Sequence, residues 1–399
     1  MNFLHHRKEQ NNINVLKAYV SRMKVALVVE WFNRDAGGVA YHVSELANVF
    51  SKNGMDVTVI TNKVERPFSN VNADILEVEG VTDPLFGTNI SPAVKKKLKG
   101  FLKDNFDVVH AHHAFSRLPL ATLSLAYKQN IPSVLTTHTV SFFPDYEYFW
   151  NFISYGYPRY RMVISKVNKI IAVSEAAKKF ISYFTQKDAV VIPNGVSIKK
   201  FHPVDKYLAR EKVGLDGNPI ILYVGRLVPK KGVDVLIRSM KEVVESYPHA
   251  LLVIAGSGKM MPLLKTLVRI AGLEKNVLFL GFVEENLLPY LYNSADVFAL
   301  PSITAESFGI VLLEAMASGV PVISTRVGGI EEVLGGGKYG YLVEPNNSSE
   351  LARGIIELLD DKNLREDIAK KGRERVEKEY SWDNVGKRVM EVYEEVEKK

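Results

Sequence analysis

Ile220-Ile221-Leu222-Tyr223-Val224-Gly225-Arg226-Leu227-Val228-Pro229-Lys230-Lys231-Gly232-Val233-Asp234 runs from an apolar, β-branched segment through a basic loop with glycines and a proline, and then into a helical stretch. The apolar run is too short for a buried helix and fits a strand covered on both faces, as in a parallel sheet. The same strand, glycine loop and helix recur near the start, where Met23 to Val29 leads to Gly37-Gly38 and a helix over Val39–Lys52. Between them, Asp56–Thr61, Val108–His110, Ser133–Thr137, Lys169–Val173 and Val190–Ile192 read as further strands. Ala250–Ala255, Val277–Leu280, Val297–Leu300 and Val322–Ser324 continue the second series. Alternating strands and helices predict an α/β fold with two doubly wound parallel sheets. Ligands of such sheets bind beyond the C-terminal strand ends, so two facing domains would enclose a cleft.

A length of 399 residues also favours two domains. The turn-rich run Pro193-Asn194-Gly195-Val196-Ser197 through Pro203 marks the break. The expected parts are an extension over 1–22, domains over 23–198 and 199–382, and a last helix over 383–399. The chain has no cysteine, which excludes disulfides and thiolate chemistry and fits a cytoplasmic setting. A net charge of +6 suits a phosphate ligand or an anionic membrane surface. Its dispersal along the chain argues against nucleic acid. No apolar run is long enough to span a bilayer.

Ala305-Glu306-Ser307-Phe308-Gly309-Ile310-Val311-Leu312-Leu313-Glu314-Ala315-Met316-Ala317 carries the clearest chemistry. Phe308-Gly309 suits a tight turn, and Ile310–Ala317 reads as a helix. Glu314 falls among apolar neighbours, where an ionised carboxylate is costly unless hydroxyls or cations satisfy it. Glu306 precedes the helix, whose free N–H groups welcome an anion. Two carboxylates for hydroxyls beside amides for a phosphate match a sugar linked to a nucleoside diphosphate. A capped helix with a stray Glu fits the spacing as well.

Other loops add to this. Gly37-Gly38 lets backbone approach a ligand, or simply makes a tight turn. Arg226 and Lys231 are placed to clamp a diphosphate and to neutralise a departing one. Gly256-Ser257-Gly258-Lys259 follows a strand, but Ile254 and Met260 stand where an NTPase phosphate loop needs other residues, leaving a small-residue loop near a nucleotide. His138 ends a strand, where it can bond a sugar hydroxyl, relay a proton or serve structure alone. His110, His112 and His113 invite a zinc reading, but neither a carboxylate partner nor a known spacing supports it. No metal or other cofactor is expected. Ten of the nineteen residues from Phe142 to Tyr160 are aromatic, and Arg159, Arg161 and Lys166 stand among or after them. That mixture fits a membrane interface, and equally an inter-helix core or a dimer contact.

Together these motifs resemble the retaining glycosyltransferases of family 4, with the GT-B architecture. The resemblance covers Met23 to about Trp382. It rests on Glu306 to Ala317, Gly319-Val320-Pro321-Val322-Ile323, Val327-Gly328-Gly329, Gly225-Arg226-Leu227 with Lys230-Lys231-Gly232, Pro193-Asn194-Gly195-Val196 and Gly37-Gly38-Val39. Ser197 departs from it, since many relatives place Asp there. The resemblance implies a nucleotide-sugar donor whose ribose hydroxyls meet Glu314 and whose sugar meets Glu306. The amides of Phe308, Gly309, Ile310 and Val311, with Arg226 and Lys231, would hold the diphosphate. Gly37 and Gly38 would approach the donor phosphates, and His138 the transferred sugar. His112, Ser174, Asn194 and Gly256 would line the site. It further implies a last helix returning to the first domain, domain closure over the donor, metal-free catalysis and a front-face displacement.

His110-Ala111-His112-His113-Ala114-Phe115-Ser116, His138 and Ser324-Thr325-Arg326-Val327-Gly328-Gly329-Ile330 are similar to the subgroup acting on phosphatidylinositol. The donor expected from this is UDP-N-acetylglucosamine or UDP-glucose, with GDP-mannose as the alternative. The acceptor is lipid-linked or contains inositol, which places the enzyme at the inner membrane surface. A nucleotide-sugar epimerase, a pyridoxal-phosphate phosphorylase and a catalytically silent membrane-binding module are the rival readings.

Overall fold

Long apolar runs become the central strands of two parallel sheets. The computed structural model describes residues 23–33, 37–62, 64–68, 70–83, 87–140 and 158–397. The extension expected over 1–22 and the aromatic stretch up to residue 157 lie outside these residues. The chain divides into two compact units. The first takes the described residues up to Thr139, those from Pro158 to Pro193, and Trp382 onward. The second takes Asn194–Ser381.

The first unit contains β1 (Lys24–Val28), β2 (Asp56–Thr61), β3 (Asp74–Glu77), the small hairpin of β4 (Val81–Asp83) and β5 (Gly87–Asn89), then β6 (Val108–His112), β7 (Ser133–Thr137), β8 (Lys169–Ala172) and β9 (Ala189–Val191). Outside the hairpin these form one sheet in the order β3-β2-β1-β6-β7-β8-β9. Every neighbour in it is parallel. The order reverses between β1 and β6, so the crevice beyond their C-terminal ends is the natural ligand position. Helix Gly38–Lys52 turns Ala40, Val43, Leu46, Ala47 and Phe50 into the core. Helix Trp382–Glu397 packs into the same core through Trp382, Val385, Val389, Val392, Tyr393 and Val396. Trp382, Val385, Val389, Val392 and Val396 fall three or four residues apart, a helical stripe that Tyr393 widens. Gly386 sits on that stripe, where a Cβ would lie 2.4 Å from Val49 Cγ1.

The second unit contains β10 (Ile220–Val224), β11 (Leu251–Ala255), β12 (Val277–Gly281), β13 (Val297–Leu300), β14 (Val322–Thr325) and β15 (Tyr341–Val343). They order as β12-β11-β10-β13-β14-β15, again all parallel. The reversal lies between β10 and β13. The basic loop after β10 and the Glu306 loop after β13 therefore flank one crevice. The loop after β11 packs its backbone closely on the loop after β10: a Cβ on Gly256 would stand 1.9 Å from the Gly225 carbonyl oxygen. Among the described residues no helix is long and apolar enough to cross a membrane.

Candidate active site

In the second unit the carboxylate of Glu306 is the hub. Lys231 Nζ donates to Glu306 Oε2 in an ion pair whose side chains are 13% and 12% exposed. Ser302 Oγ donates to the same oxygen at 3.1 Å. Positive φ values at Ala305 (53°) and Gly309 (81°) turn the chain twice and bring Glu306 back toward the end of β13. Hydroxyls of β14 hold that loop: Thr325 Oγ1 donates to the Ser302 carbonyl at 2.5 Å, and Ser324 Oγ to the Leu300 carbonyl at 2.6 Å. Gly329 N–H donates to the Glu306 carbonyl at 3.0 Å. Gly328, at φ 57°, is needed because a Cβ there would lie 2.0 Å from that oxygen. Lys230 Nζ donates to the Ala305 carbonyl at 3.3 Å, and burial lowers its pKa. Arg226 is exposed, and its carbonyl accepts from Tyr223 Oη at 3.0 Å. Burial first, then the Glu306 charge, pushes the Tyr223 phenol far up.

Helix Ile310–Ala317 opens from Gly309 without a side-chain cap, so no cap competes with an anion for the N–H groups of Ile310 and Val311, whereas Leu312 N–H donates to the Gly309 carbonyl at 2.8 Å. Phe308 is buried and stacks edge-on with Tyr380, which anchors the turn. One turn after Ile310, Glu314 accepts from Tyr292 Oη at 2.6 Å. Burial raises its pKa from 4.5 to about 7, against the opposing pull of that bond and of Lys200. Glu306 thus sits in an ion pair, while burial raises the Glu314 carboxyl toward neutral pH.

In the first unit, Gly37 caps helix Gly38–Lys52 at φ 87° with open space where a Cβ would be. The histidines in and just after β6 have different partners. His110 lies between Tyr393 Oη (2.6 Å) and Thr136 Oγ1 (2.7 Å), and burial pushes it down to about 3. His113, at φ 75°, pairs with Ser116 Oγ at 3.0 Å, and burial pushes it down to about 4. His112 instead faces His42 and His138, with nitrogens of all three within 4.8 Å of one another. Ser174 is buried and caps helix Glu175–Ser182, accepting from Ala177 N–H at 3.1 Å. Asn194, in the second unit, is buried with no partner for Oδ1 among the described residues.

Residues 36–200 match the family model of Glycosyltransferase Family 4, and residues 205–375 that of glycosyl transferases group 1. An uncharacterized glycosyltransferase of Methanocaldococcus jannaschii is 34% identical over 389 residues, 93% of this chain and 98% of its own. The phosphatidyl-myo-inositol mannosyltransferase of Mycobacterium leprae is 30% identical over 390 residues, 94% and 97% of the two chains. The chain belongs to glycosyltransferase family 4. Another relative, from Corynebacterium glutamicum, is named a GDP-mannose-dependent monoacylated alpha-(1-6)-phosphatidylinositol monomannoside mannosyltransferase. It is 34% identical over 288 residues, 69% of this chain and 73% of its own. Anabaena HepE in complex with UDP shares the fold at a TM-score of 0.75 and 20% identity, covering 94% of this chain and 100% of that one. The two Rossmann-like units are those of the GT-B class, and this family 4 glycosyltransferase acts on nucleotide sugars.

The structure joins Lys231 to Glu306, where sequence reasoning gave them different parts of the donor. Glu314 belongs to a second cluster with Tyr292 and Lys200. Four participants escaped the sequence: Ser302, Tyr292, Lys230 and His42. His42 had one usable signal, its place in the second turn of a helix that opens at a strand's C-terminal end.

Proposed function

We propose that this glycosyltransferase moves mannose from GDP-mannose to an inositol hydroxyl of a phosphatidylinositol-type lipid, with retention and without a metal. The carrying observation is the Lys231–Glu306–Ser302 group beside the uncapped helix start at Ile310. It sets a fixed anion for sugar hydroxyls next to amides and cations for a diphosphate. Phe308 to Val311, Arg226 and Lys231 take the diphosphate, and Glu314 takes the ribose. The names of the mycobacterial and corynebacterial relatives favour GDP-mannose over the UDP-sugars expected first. They support a lipid acceptor at an anionic membrane surface as well. This reading keeps the expected roles on the first unit: Gly37 and Gly38 serve the donor phosphates, His138 the transferred sugar, and His112 and Ser174 line the site.

In the reaction, the bond from the anomeric carbon to the diphosphate oxygen breaks. The acceptor oxygen bonds to that carbon on the same face, and its proton passes to the leaving phosphate oxygen. Cationic side chains and helix amides stabilise the departing charge. Measuring nucleoside diphosphate release from GDP-mannose, UDP-N-acetylglucosamine, UDP-glucose and ADP-glucose tests it. The assay includes a chelator, with or without phosphatidylinositol vesicles. Release from GDP-mannose, stimulated by the vesicles and lost in Glu306→Gln, is expected, with an α-mannoside product by NMR. Release from a UDP-sugar instead would reassign the donor. Vesicle binding without turnover of any donor would mean a silent membrane-binding module.

A further inference from the structure

The geometry points to a transition-metal site formed by His42, His112 and His138 in the first unit. His42 comes from helix Gly38–Lys52, His112 from the last position of β6, and His138 from the residue after β7. Their ring centroids are 5.4 Å (His42–His112), 4.9 Å (His42–His138) and 5.8 Å (His112–His138) apart. Three imidazoles sharing one tetrahedral zinc ion through nitrogens about 2.1 Å away have centroids roughly 5 Å apart. With their nitrogens already within 4.8 Å of one another, shifts of about 1 Å complete the coordination.

A second observation points to the same ligand. His112 is fully buried, yet neither ring nitrogen has a hydrogen-bond partner among the described residues, nor has His138 Nε2. Buried polar atoms are normally satisfied, and a cation answers unpartnered ring nitrogens gathered within 4.8 Å of one another. Burial first, then the nearby histidines (His110 foremost for His112, His42 for His138), lowers both imidazoles below the ordinary histidine pKa. A neutral imidazole ligates through its unprotonated ring nitrogen. A donor set of nitrogens alone selects Zn²⁺, Co²⁺, Ni²⁺ or Cu²⁺ over Mg²⁺ or Ca²⁺. The fourth position is left to water or a small ligand. An ion there ties up His138, so it inhibits transfer. This last consequence rests on the functional reading above, whereas the binding does not.

The test uses the full chain without an affinity tag and with His5 and His6 replaced by Ser, stripped with chelator and titrated with Co²⁺. The expected result is one ion per chain with the intense visible bands of tetrahedral Co²⁺. His112→Asn and His42→Gln should each weaken binding by at least about tenfold, while the exposed His249→Asn leaves it unchanged. An octahedral aqua spectrum, or binding indifferent to both ligand variants, overturns the site. Should those variants misfold, X-ray absorption of the zinc-loaded parent chain decides, since a shell without three imidazoles overturns it. Zn²⁺ should suppress sugar transfer in the parent chain, reversed by chelator, and spare His42→Gln. Ion binding with undiminished transfer overturns the inhibitory role.

Discussion

Lys231 and Glu306 form an ion pair that is nearly buried at the C-terminal ends of β10 and β13. Each neutralises the other, so the crevice carries a rigid dipole there in place of two free charges, and in the proposed reading the donor meets that dipole. Removing one partner strands the other. Lys231→Ala and Glu306→Gln should each lower kcat by about 10²–10³-fold, the cost of losing one oriented electrostatic group. Lys231→Ala should also cost about 1–3 kcal/mol of stability, below the full value for a buried pair because both side chains keep some solvent. The double variant should lose much less than the product of the two single effects. Steady-state kinetics with urea unfolding of all four proteins checks this, and additive losses would show that the pair does not act as a unit.

Glu314 gives a pH signature. Its carboxyl is raised to about 7 in the folded protein, chiefly by burial. An unfolded chain holds its glutamates near 4.3. Between these values the folded state binds the extra proton, so stability falls as pH rises from about 4.5 to 7. Glu314→Gln removes that cost. The variant should gain on the parent across this window and hold the gain above it, by about 1–2 kcal/mol once partial exposure discounts the full shift. Donor affinity should move the other way, because ribose hydroxyls donate best to the ionised carboxylate. It should strengthen as pH rises through 7 in the parent and stay flat in the variant. Thermal melts and nucleoside diphosphate titrations over pH 5–9 read both effects.

The central strands were legible because parallel strands covered on both faces read as unbroken apolar runs, as Ile220–Val224 does. Strand β3 was not, because an edge strand carrying Asp74 and Glu77 lacks that run. Nor was β15, whose three residues are too short for a pattern. Glu306 and Glu314 stood out because a carboxylate is anomalous beside apolar residues. Their partners did not, because tertiary pairs leave no local mark: Lys231 and Glu306 are 75 positions apart, Tyr292 and Glu314 22. His112 was noticed but grouped with its chain neighbours, although β6 sends His110 toward Tyr393 and His112 toward His42 and His138.

At Gly386 helix Trp382–Glu397 packs closely on helix Gly38–Lys52. A Cβ would meet Val49 Cγ1 at 2.4 Å. Alanine would normally favour a helix by about 1 kcal/mol over glycine. Here the clash should outweigh that gain, and Gly386→Ala should destabilise by about 1–3 kcal/mol. Adding Val49→Ala should return part of the loss by making room. Denaturant midpoints of the two single variants and the double variant measure it, and a stabilised Gly386→Ala would show that the helices part easily.

Gly328 isolates the positioning of Glu306 from its chemistry. Alanine there leaves the carboxylate, Lys231 and Ser302 in the sequence, yet its Cβ would press on the Glu306 carbonyl oxygen from 2.0 Å. Neither backbone segment yields easily, because the Gly329 N–H already binds that oxygen. The loop must shift, and misplacement of about 1 Å is enough to cost roughly 10²-fold in rate. Gly328→Ala should therefore lower kcat by about that factor while the protein still unfolds cooperatively. Gly336→Ala is the matched control. It places the same residue at a positive φ of 67°, but nothing lies within 4 Å of its Cβ. Backbone strain alone would affect both variants alike, whereas a site built on the Glu306 carbonyl predicts that only Gly328→Ala loses turnover.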